Sequence, residues 1–229
     1  MSEAKANFTE DKMIKNSNGF YNRFAKRIID ITLAIPMLLL LLPVFLIVSL
    51  MIVFDSGFPI FYRPVRGGYK NKPFRIFKFR SMVKNADKIG GGTTALNDSR
   101  ITNVGSFLRK TKLDEIPQLF NIISGEMSFI GPRPELLRYT NEYDFFEKYI
   151  LSVRPGITDF SSLEFINLDE IVGELNADEM YEKNVLKRKN QIRLRYVGEM
   201  SFLVDVQIFF LTVIKTVEKA IRVIMNRSK

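Results

Sequence analysis

The sequence predicts an α/β (α+β) protein in which a small compact domain of short strands and helices is anchored to a membrane. Three observations predict this class. An uncharged apolar run covers residues 31–54, apolar and basic residues alternate over residues 72–82, and apolar residues recur at helical spacing over residues 201–224. With 229 residues and a mass of 26.5 kDa, the chain is long enough for one domain and a membrane-bound appendage.

The chain is strongly basic, with a formal net charge of +9 and a pI of about 9.6, and it contains neither histidine nor cysteine. The charge predicts an anionic partner, which could be a nucleic acid, a membrane surface or a phosphate-rich substrate. The missing residue types exclude a Ser-His-Asp triad, a cysteine nucleophile and a zinc site with His or Cys ligands. Covalent chemistry would therefore fall to a carboxylate, a hydroxyl or a lysine.

The N-terminal part divides into a polar arm and a membrane segment. Residues 1–19 show no apolar periodicity and are predicted to form a flexible arm. Residues 20–56 form an amphipathic lead-in and a run long enough to cross a bilayer, which needs roughly 20 apolar residues. Basic residues flank the run on both sides: Lys12, Lys15, Arg23, Lys26 and Arg27 precede it, and Arg63, Arg66, Lys70 and Lys72 follow it.

These two basic flanks favour a re-entrant helical hairpin, because positive charge normally marks the cytoplasmic side of a membrane helix. Pro43 divides the apolar run most evenly and is predicted to break the helix, with Pro36 as a second place. Proline removes a backbone donor and clashes with the preceding turn. A kinked helix that spans the bilayer is the alternative.

Residues 57–229 are predicted to form a cytoplasmic domain that begins with short strands. A strand-like run over residues 59–68 ends in a Gly-Gly turn. Residues 72–82 suit a half-buried strand whose basic face includes Lys78 and Arg80. A polar, glycine-rich loop follows over residues 85–100.

The rest of the domain is predicted to be mainly helical. Pro117 fits the first turn of a helix over residues 115–123, which places Asp114 at its N-terminus. The segment over residues 201–224 is a basic amphipathic helix that either lies in the membrane interface or packs on the protein's own core. Further helices are expected over residues 104–110, 135–153 and 169–196, with turns at the GPRPE motif and at residues 154–158.

Asp114 and Glu115 form an acidic pair in a basic setting. The surrounding basic residues are Lys78, Arg80, Arg109, Lys110, Lys112 and Arg133. Arginine forks match phosphate oxygens, and magnesium prefers one or two carboxylates completed by substrate phosphates, so the pattern suggests phosphoryl transfer. The alternative is a helix cap worth about 1 kcal/mol. Composition and spacing lead only to a basic, membrane-attached, phosphate-binding protein.

Several ordered motifs resemble the bacterial sugar transferase family, the monotopic polyprenyl-phosphate phosphoglycosyl transferases (undecaprenyl-phosphate sugar-1-phosphate transferases). The resemblance covers about residues 20–225. The motifs are KRIID before the apolar run, KFRSM at residues 78–82, NDSRIT at 97–102, VGSFLRKTKLDEIPQLFNIISGEMSFIGPRPE at 104–135 and RPGIT at 154–158.

This resemblance implies a covalent mechanism at the inner-membrane surface of a bacterial cell. Asp114 would attack the sugar-bearing phosphate of a UDP-sugar and release UMP, and polyprenyl phosphate would then accept the phosphosugar. Glu115 would be the metal-linked acid, with Mg²⁺ or Mn²⁺ as cofactor. The resemblance further assigns Lys78 and Arg80 to the basic strand, and Arg109, Pro132, Arg133 and Pro134 to the surroundings of the phosphates.

The family resemblance also predicts the membrane geometry: a re-entrant helix in the inner leaflet that breaks at Pro43. The family often has Ser before this proline, whereas this chain has Leu42. Residues 159–164 (DFSSLE) also depart from the family pattern of Gly and a short apolar-Gln segment, which leaves the sugar open. A homodimer is left open as well.

Two other function classes fit the sequence less well. A non-catalytic membrane scaffold of the same fold would need a lost nucleophile or metal ligand, yet Asp114 and Glu115 are both intact. A nucleic-acid partner is not expected. The alternation over residues 72–82 fits a strand with one buried face better than a set of exposed stacking aromatics.

Overall fold

The computed structural model describes residues 10–226, with side chains described as far as residue 218. The helices are α1 (Glu10–Asn18), α2 (Lys26–Ser56), α3 (Ala86–Ile89), α4 (Asn103–Thr111), α5 (Gln118–Ser124), α6 (Leu137–Thr140), α7 (Phe160–Glu164), α8 (Leu168–Val172), α9 (Ala177–Tyr181), α10 (Lys187–Glu199) and α11 (Phe202–Asn226). The strands are β1 (Phe61–Tyr62), β2 (Val65–Gly67), β3 (Pro73–Arg75), β4 (Lys78–Phe79), β5 (Ser128–Ile130) and β6 (Gly156–Thr158). The mixed α and β class is confirmed.

The short strands pair in three two-stranded ladders. β1 pairs antiparallel with β4, and β2 pairs antiparallel with β3. β5 and β6 are parallel, with Ser128 opposite Gly156. The prediction of a turn over residues 154–158 is therefore wrong for its last three residues. A Cβ on Gly156 would lie 2.1 Å from the backbone nitrogen of Gly131, so the close approach of these backbones requires glycine.

The apolar segment forms α2, which continues without interruption through Pro36 and Pro43. The predicted break at Pro43 is therefore not seen. The helix continues because the loss of one backbone donor leaves the flanking hydrogen bonds in place. A bend at this proline stays a prediction. One stripe of α2 packs against the domain along its length: Ala34, Leu38, Leu41, Phe45, Val48 and Ile52. The other face is exposed and apolar: Leu33, Leu39, Leu40, Leu42, Leu46, Ile47, Leu50 and Phe54.

Both ends of α2 are tied to the same domain. Near its start, Arg27 donates to the carbonyl of Ile123 at 2.8 Å, and Asp30 accepts from the Ser128 hydroxyl at 3.0 Å. At its end, Arg80 donates to the Ser56 hydroxyl at 2.8 Å and to the Gly57 carbonyl at 2.6 Å. The helix thus lies along the domain and does not project from it.

The predicted flexible arm is wrong for residues 10–18, which form α1; residues 1–9 lie outside the described part. Met13 is only 2% exposed within a core cluster that includes residues of α10 and α11. The side chain of Asn16 donates to the carbonyls of Val197 and Gly198, the latter at 2.8 Å. Contacts distant in sequence therefore hold this helix, although its few apolar residues give no visible period.

The C-terminal helix α11 confirms the helical spacing predicted over residues 201–224 and shows how much of its apolar stripe packs on the protein's own core. Ile208 is buried in the core, and Lys26 at the start of α2 forms a buried ion pair with Asp205. Most of the apolar residues face away from the described domain: Phe202, Leu203, Phe209, Phe210, Val213, Ile214 and Val217 are exposed. α2 and α11 therefore both present apolar surface.

Three predicted helices have different boundaries in the structure. Residues 135–153 form α6 and a separate 3₁₀ turn at Glu147–Ser152, where Asp144 and Glu147 cap each other's backbone nitrogens. Residues 169–196 are divided because Gly173, at φ +72°, ends α8. The helix predicted from residue 115 begins at Gln118, after a 3₁₀ turn at Leu113–Glu115.

Candidate active site

The acidic pair lies on the 3₁₀ turn between α4 and α5. Lys112 adopts a left-handed conformation (φ +60°) that ends α4 and redirects the chain into this turn. Asp114 is 5% exposed, yet its carboxylate has no hydrogen-bond partner among the described residues. Its oxygens are therefore free for a ligand.

Glu115, by contrast, is fully engaged by two cations. Lys78 Nζ lies 3.2 Å from Glu115 Oε1, and Arg133 Nη1 donates to Oε2 at 3.0 Å while its Nη2 donates to Oε1. Arg133 Nη1 also donates to the Ile157 carbonyl at 2.7 Å. The predicted residues Lys78, Glu115 and Arg133 are thus brought together from three separate segments of the chain.

The neighbouring carboxylates have opposite pKa shifts. Burial raises the pKa of Asp114 and the negative charge of Glu115 raises it further, while Lys78 opposes the rise. Burial would also raise the pKa of Glu115, but Arg133 and Lys78 hold it well below its usual value. Such a separation gives two adjacent carboxyls distinct roles. Glu115 is therefore ionised and fixed, whereas Asp114 is the carboxyl of the pair without a hydrogen-bond partner among the described residues.

A cleft of about 1460 Å³ opens beside this pair. The charged residues that line the cleft include Lys78, Arg109, Lys112, Asp114, Glu115 and Arg133. Met37 and Leu41 of α2 and Thr212 and Thr216 of α11 also line it. The cleft exceeds the usual volume of a small-molecule site, roughly 300–1,000 Å³. It can therefore admit a large ligand and is bounded by both helices that carry exposed apolar surface.

Arg109 contacts the glycine-rich loop over this cleft, since its Nη2 donates to Thr94 Oγ1 at 2.8 Å. Asp178 of α9 holds the same loop by accepting from the backbone nitrogens of Gly92 at 3.1 Å and Thr93 at 2.7 Å. Burial opposes ionisation of Asp178, but these bonds and Arg138 lower its pKa to about 2. No sequence pattern points to Asp178, because a side chain that binds a distant loop leaves no periodic pattern.

Arg80, another predicted phosphate-binding residue, is buried and lines the same cleft. Its Nη2 donates to the Ser56 hydroxyl and the Gly57 carbonyl at the end of α2, whereas Nε and Nη1 are buried without a hydrogen-bond partner in the described part of the chain. Arg80 therefore fixes the C-terminal end of α2, and its role toward phosphate stays a prediction. Pro134 lines the cleft, whereas the Pro132 carbonyl accepts from Gly156 at 3.1 Å and helps to fix the turn.

The divergent segment at residues 159–164 coincides with α7 and its N-cap. Asp159 accepts from the backbone nitrogen of Ser162 at 2.7 Å and from that of Arg133 at 3.3 Å. Ser162 and Leu163 line the cleft. This segment therefore both shapes the cleft and orients the turn that carries Arg133.

Comparison with known proteins gives one family. A family model described as "Bacterial sugar transferase" matches residues 21–219. A UDP-glucose:undecaprenyl-phosphate glucose-1-phosphate transferase of Escherichia coli is 40% identical over 198 residues, which cover 85% of this chain and 40% of the relative. The chain thus spans about two fifths of the length of that relative.

Two further relatives have different names. A UDP-N-acetylgalactosamine-undecaprenyl-phosphate N-acetylgalactosaminephosphotransferase of Aeromonas hydrophila is 34% identical, covering 83% of this chain and 43% of the relative. An exopolysaccharide production protein of Sinorhizobium fredii is 35% identical over 82% of this chain and 84% of its own length. The names of the Escherichia coli and Aeromonas hydrophila relatives thus differ in the sugar.

Proposed function

The chain belongs to the bacterial sugar transferase family, and we propose that it transfers a sugar-1-phosphate from a UDP-sugar to undecaprenyl (polyprenyl) phosphate. One observation carries the proposal. Asp114 is buried without a hydrogen-bond partner among the described residues, and beside it Glu115 is ionised and fixed by Lys78 and Arg133. Both carboxyls line a cleft that reaches the apolar helix α2. Because the relatives' names include different sugars, the proposal covers the UDP-sugar class.

In this reaction Asp114 is the nucleophile. A carboxylate oxygen of Asp114 forms a bond to the phosphorus that bears the sugar, and the bond from that phosphorus to the bridging oxygen breaks, so UMP leaves with the bridging oxygen. An oxygen of polyprenyl phosphate then attacks the same phosphorus and displaces the Asp114 carboxylate. The product, polyprenyl-diphosphate-sugar, starts the assembly of a glycan such as a capsule, O-antigen, exopolysaccharide or glycoprotein chain.

The basic residues around Asp114 supply the electrostatic part of catalysis. Lys78 and Arg133 are held in place by Glu115, and Arg109 is held by Thr94, so all three are oriented before a substrate arrives. Fixed donors of this kind stabilise charge that develops on phosphate oxygens during transfer. Glu115 thereby acts as a positioning residue for two of these cations.

A divalent cation fits this site only if the substrate completes its coordination. The described residues contain no group of three or more metal-ligating side chains. Magnesium commonly uses one or two carboxylates together with substrate phosphates, which matches Glu115 beside Asp114. Glu115 would hold the ion by sharing an oxygen that now accepts from Lys78 or Arg133. Bound there, Mg²⁺ or Mn²⁺ would neutralise charge on the phosphates.

The membrane part of the proposal places the enzyme on the cytoplasmic face of the inner membrane. Both ends of α2 contact one domain, and α2 and α11 expose apolar faces. This arrangement supports a helix that enters and leaves through the inner leaflet, with a bend at Pro43. Met37 and Leu41 in the cleft wall would let the lipid acceptor approach Asp114 from the membrane.

Topology is tested with single cysteines, which can be introduced cleanly because the chain has none. Asn18→Cys and Val83→Cys are suitable, since both positions are exposed. We expect both to be shielded from a membrane-impermeant thiol reagent in intact cells and to react once the membrane is opened. A spanning α2 would place the N-terminal side outside. Labelling of Asn18→Cys but not Val83→Cys in intact cells would therefore contradict the re-entrant arrangement.

The overall reaction is tested by measuring UMP release from a panel of UDP-sugars. We expect release by the purified protein to need both a suitable UDP-sugar and polyprenyl phosphate for continued turnover. No release from any UDP-sugar in the panel, by a folded protein in a lipid bilayer with Mg²⁺, would count against the proposed function.

A further inference from the structure

A second group of cations, two of them buried and one half-buried, lines the same cleft and has no part in the mechanism described above. It consists of Arg66 on β2 and of Lys189 and Arg193 on α10. Lys189 is 6% exposed and Arg193 is 1% exposed. Glu135 lies among them and is the carboxylate with which they interact most. We call these four residues the Glu135 cluster.

The Glu135 cluster has more positive than negative charge. Glu135 Oε2 accepts from Arg193 Nη2 at 3.1 Å and also from the Tyr181 hydroxyl. Within the described part of the chain, neither Arg66 nor Lys189 forms an ion pair. Arg66 donates to the Val65 carbonyl at 2.9 Å. Lys189 Nζ has one long hydrogen bond, 3.5 Å, to the Tyr181 hydroxyl, and lies 5.0 Å from the centroid of the Tyr181 ring and 5.8 Å from that of Phe165. The cluster thus holds three cations and one carboxylate, and only Arg193 forms an ion pair with that carboxylate.

This excess charge is costly without an anion. Buried charges lose the hydration of water, and a protein interior repays that loss only through close pairing. Burial and the nearby Arg193 lower the pKa of Lys189 to about 8, and burial also lowers the pKa of Arg66. In addition, Arg193 Nε is buried without a hydrogen-bond partner. The cluster is therefore suited to bind an anion.

The Glu135 cluster adjoins the reactive carboxylate pair. Arg133, which holds Glu115, precedes Glu135 by two residues and interacts electrostatically with both Arg66 and Lys189. The cleft thus contains two neighbouring groups of cations, one around Asp114 and one around Glu135. A nucleoside diphosphate sugar carries two adjacent phosphates, which is the ligand that such a pair of sites would match.

We infer that Arg66, Lys189 and Arg193 bind the phosphate of the UMP half of the donor, the phosphate that Asp114 does not attack. This inference rests on the proposed function. The phosphate of the lipid acceptor has the same chemistry but fits less well. The cluster belongs to β2, α10 and the segment after the PRP motif, and none of its residues comes from α2 or α11, the helices that expose apolar surface.

The test is the affinity for UMP, measured by calorimetry on the full chain in detergent. Lys189→Gln should weaken UMP binding about tenfold, which corresponds to about 1.4 kcal/mol. Binding of farnesyl phosphate, a soluble analogue of the acceptor, should stay within twofold of the wild type. Lys187→Gln is the matched control, because Lys187 is exposed on the same helix and does not line the cleft. It should bind UMP like the wild type.

Stability in the absence of UMP separates a lost binding site from a damaged fold. Because Lys189 has no ion-pair partner in the described chain, its replacement should not lower the melting temperature. If Lys189→Gln does not fold, Arg66→Gln carries the test and should show the same selective loss of UMP affinity.

The possible results show whether the proposed UMP site or the proposed overall function is wrong. If wild type binds UMP and the folded variants bind it equally well, the Glu135 cluster is not the UMP site. Selective loss of farnesyl phosphate binding would assign the cluster to the acceptor and overturn the inference. A wild type that neither binds UMP nor releases it from any UDP-sugar would overturn the proposed function and this site together.

Discussion

Asp114→Asn is expected to reduce turnover by about 10³-fold or more while the protein stays folded and membrane-bound. An asparagine amide has nearly the same shape as the carboxylate but cannot form the acyl phosphate, so the loss should fall on the chemical step. Asp114 is buried without a hydrogen-bond partner among the described residues, so removing its charge should not weaken the fold. UMP release under saturating UDP-sugar measures the effect.

The matched control for this variant is Asp11→Asn. Asp11 is an exposed aspartate on α1 and has no role in the cleft, so its substitution tests the same chemical change at a neutral position. Its turnover should equal that of the wild type. Near-normal turnover of Asp114→Asn would mean that the covalent mechanism is assigned to the wrong group.

Rigorous removal of divalent cations with EDTA is expected to abolish transfer, and added Mg²⁺ or Mn²⁺ should restore it. An all-oxygen site without histidine or cysteine suits hard cations. Glu115→Gln should raise the Mg²⁺ concentration needed for half-maximal activity or remove activity, because the amide loses the charge that attracts the ion and fixes Lys78 and Arg133. The readout is UMP release titrated against Mg²⁺.

Glu142→Gln provides the comparison for the metal titration, since Glu142 is exposed and outside the cleft. Its Mg²⁺ dependence should match the wild type. Transfer that persists at full rate after chelation would rule out the divalent cation as a cofactor. A Glu115→Gln variant with an unchanged Mg²⁺ titration would move the ion to other ligands.

The parts of the fold that were predicted well are the helices whose apolar residues form a recognisable pattern in the sequence. The apolar spacing over residues 201–224 gave α11, and the uncharged run gave α2. The ordered motifs also contain residues that meet in the structure: Lys78, Glu115 and Arg133 are in contact although they are far apart in the chain. Their meeting could be inferred from family resemblance but not from spacing.

The parts that were missed depend on contacts between distant segments. α1 has little apolar pattern and is held by Met13 and Asn16 against later helices. β6 has only three residues and forms because two glycines allow the backbones to approach. The contact of the Arg80 guanidinium with the end of α2 could not be foreseen from its place in a basic strand. Local sequence does not encode such partners.

The central claim is that Asp114 carries the phosphosugar during transfer, and mass spectrometry of the intact protein tests it most directly. Wild type incubated with its UDP-sugar and Mg²⁺, without acceptor, should gain the mass of one phosphosugar. Peptide mapping should place that mass on Asp114, and polyprenyl phosphate should remove it. An adduct on another residue, one that the acceptor cannot remove, or turnover with no adduct in rapidly quenched samples would contradict the claim.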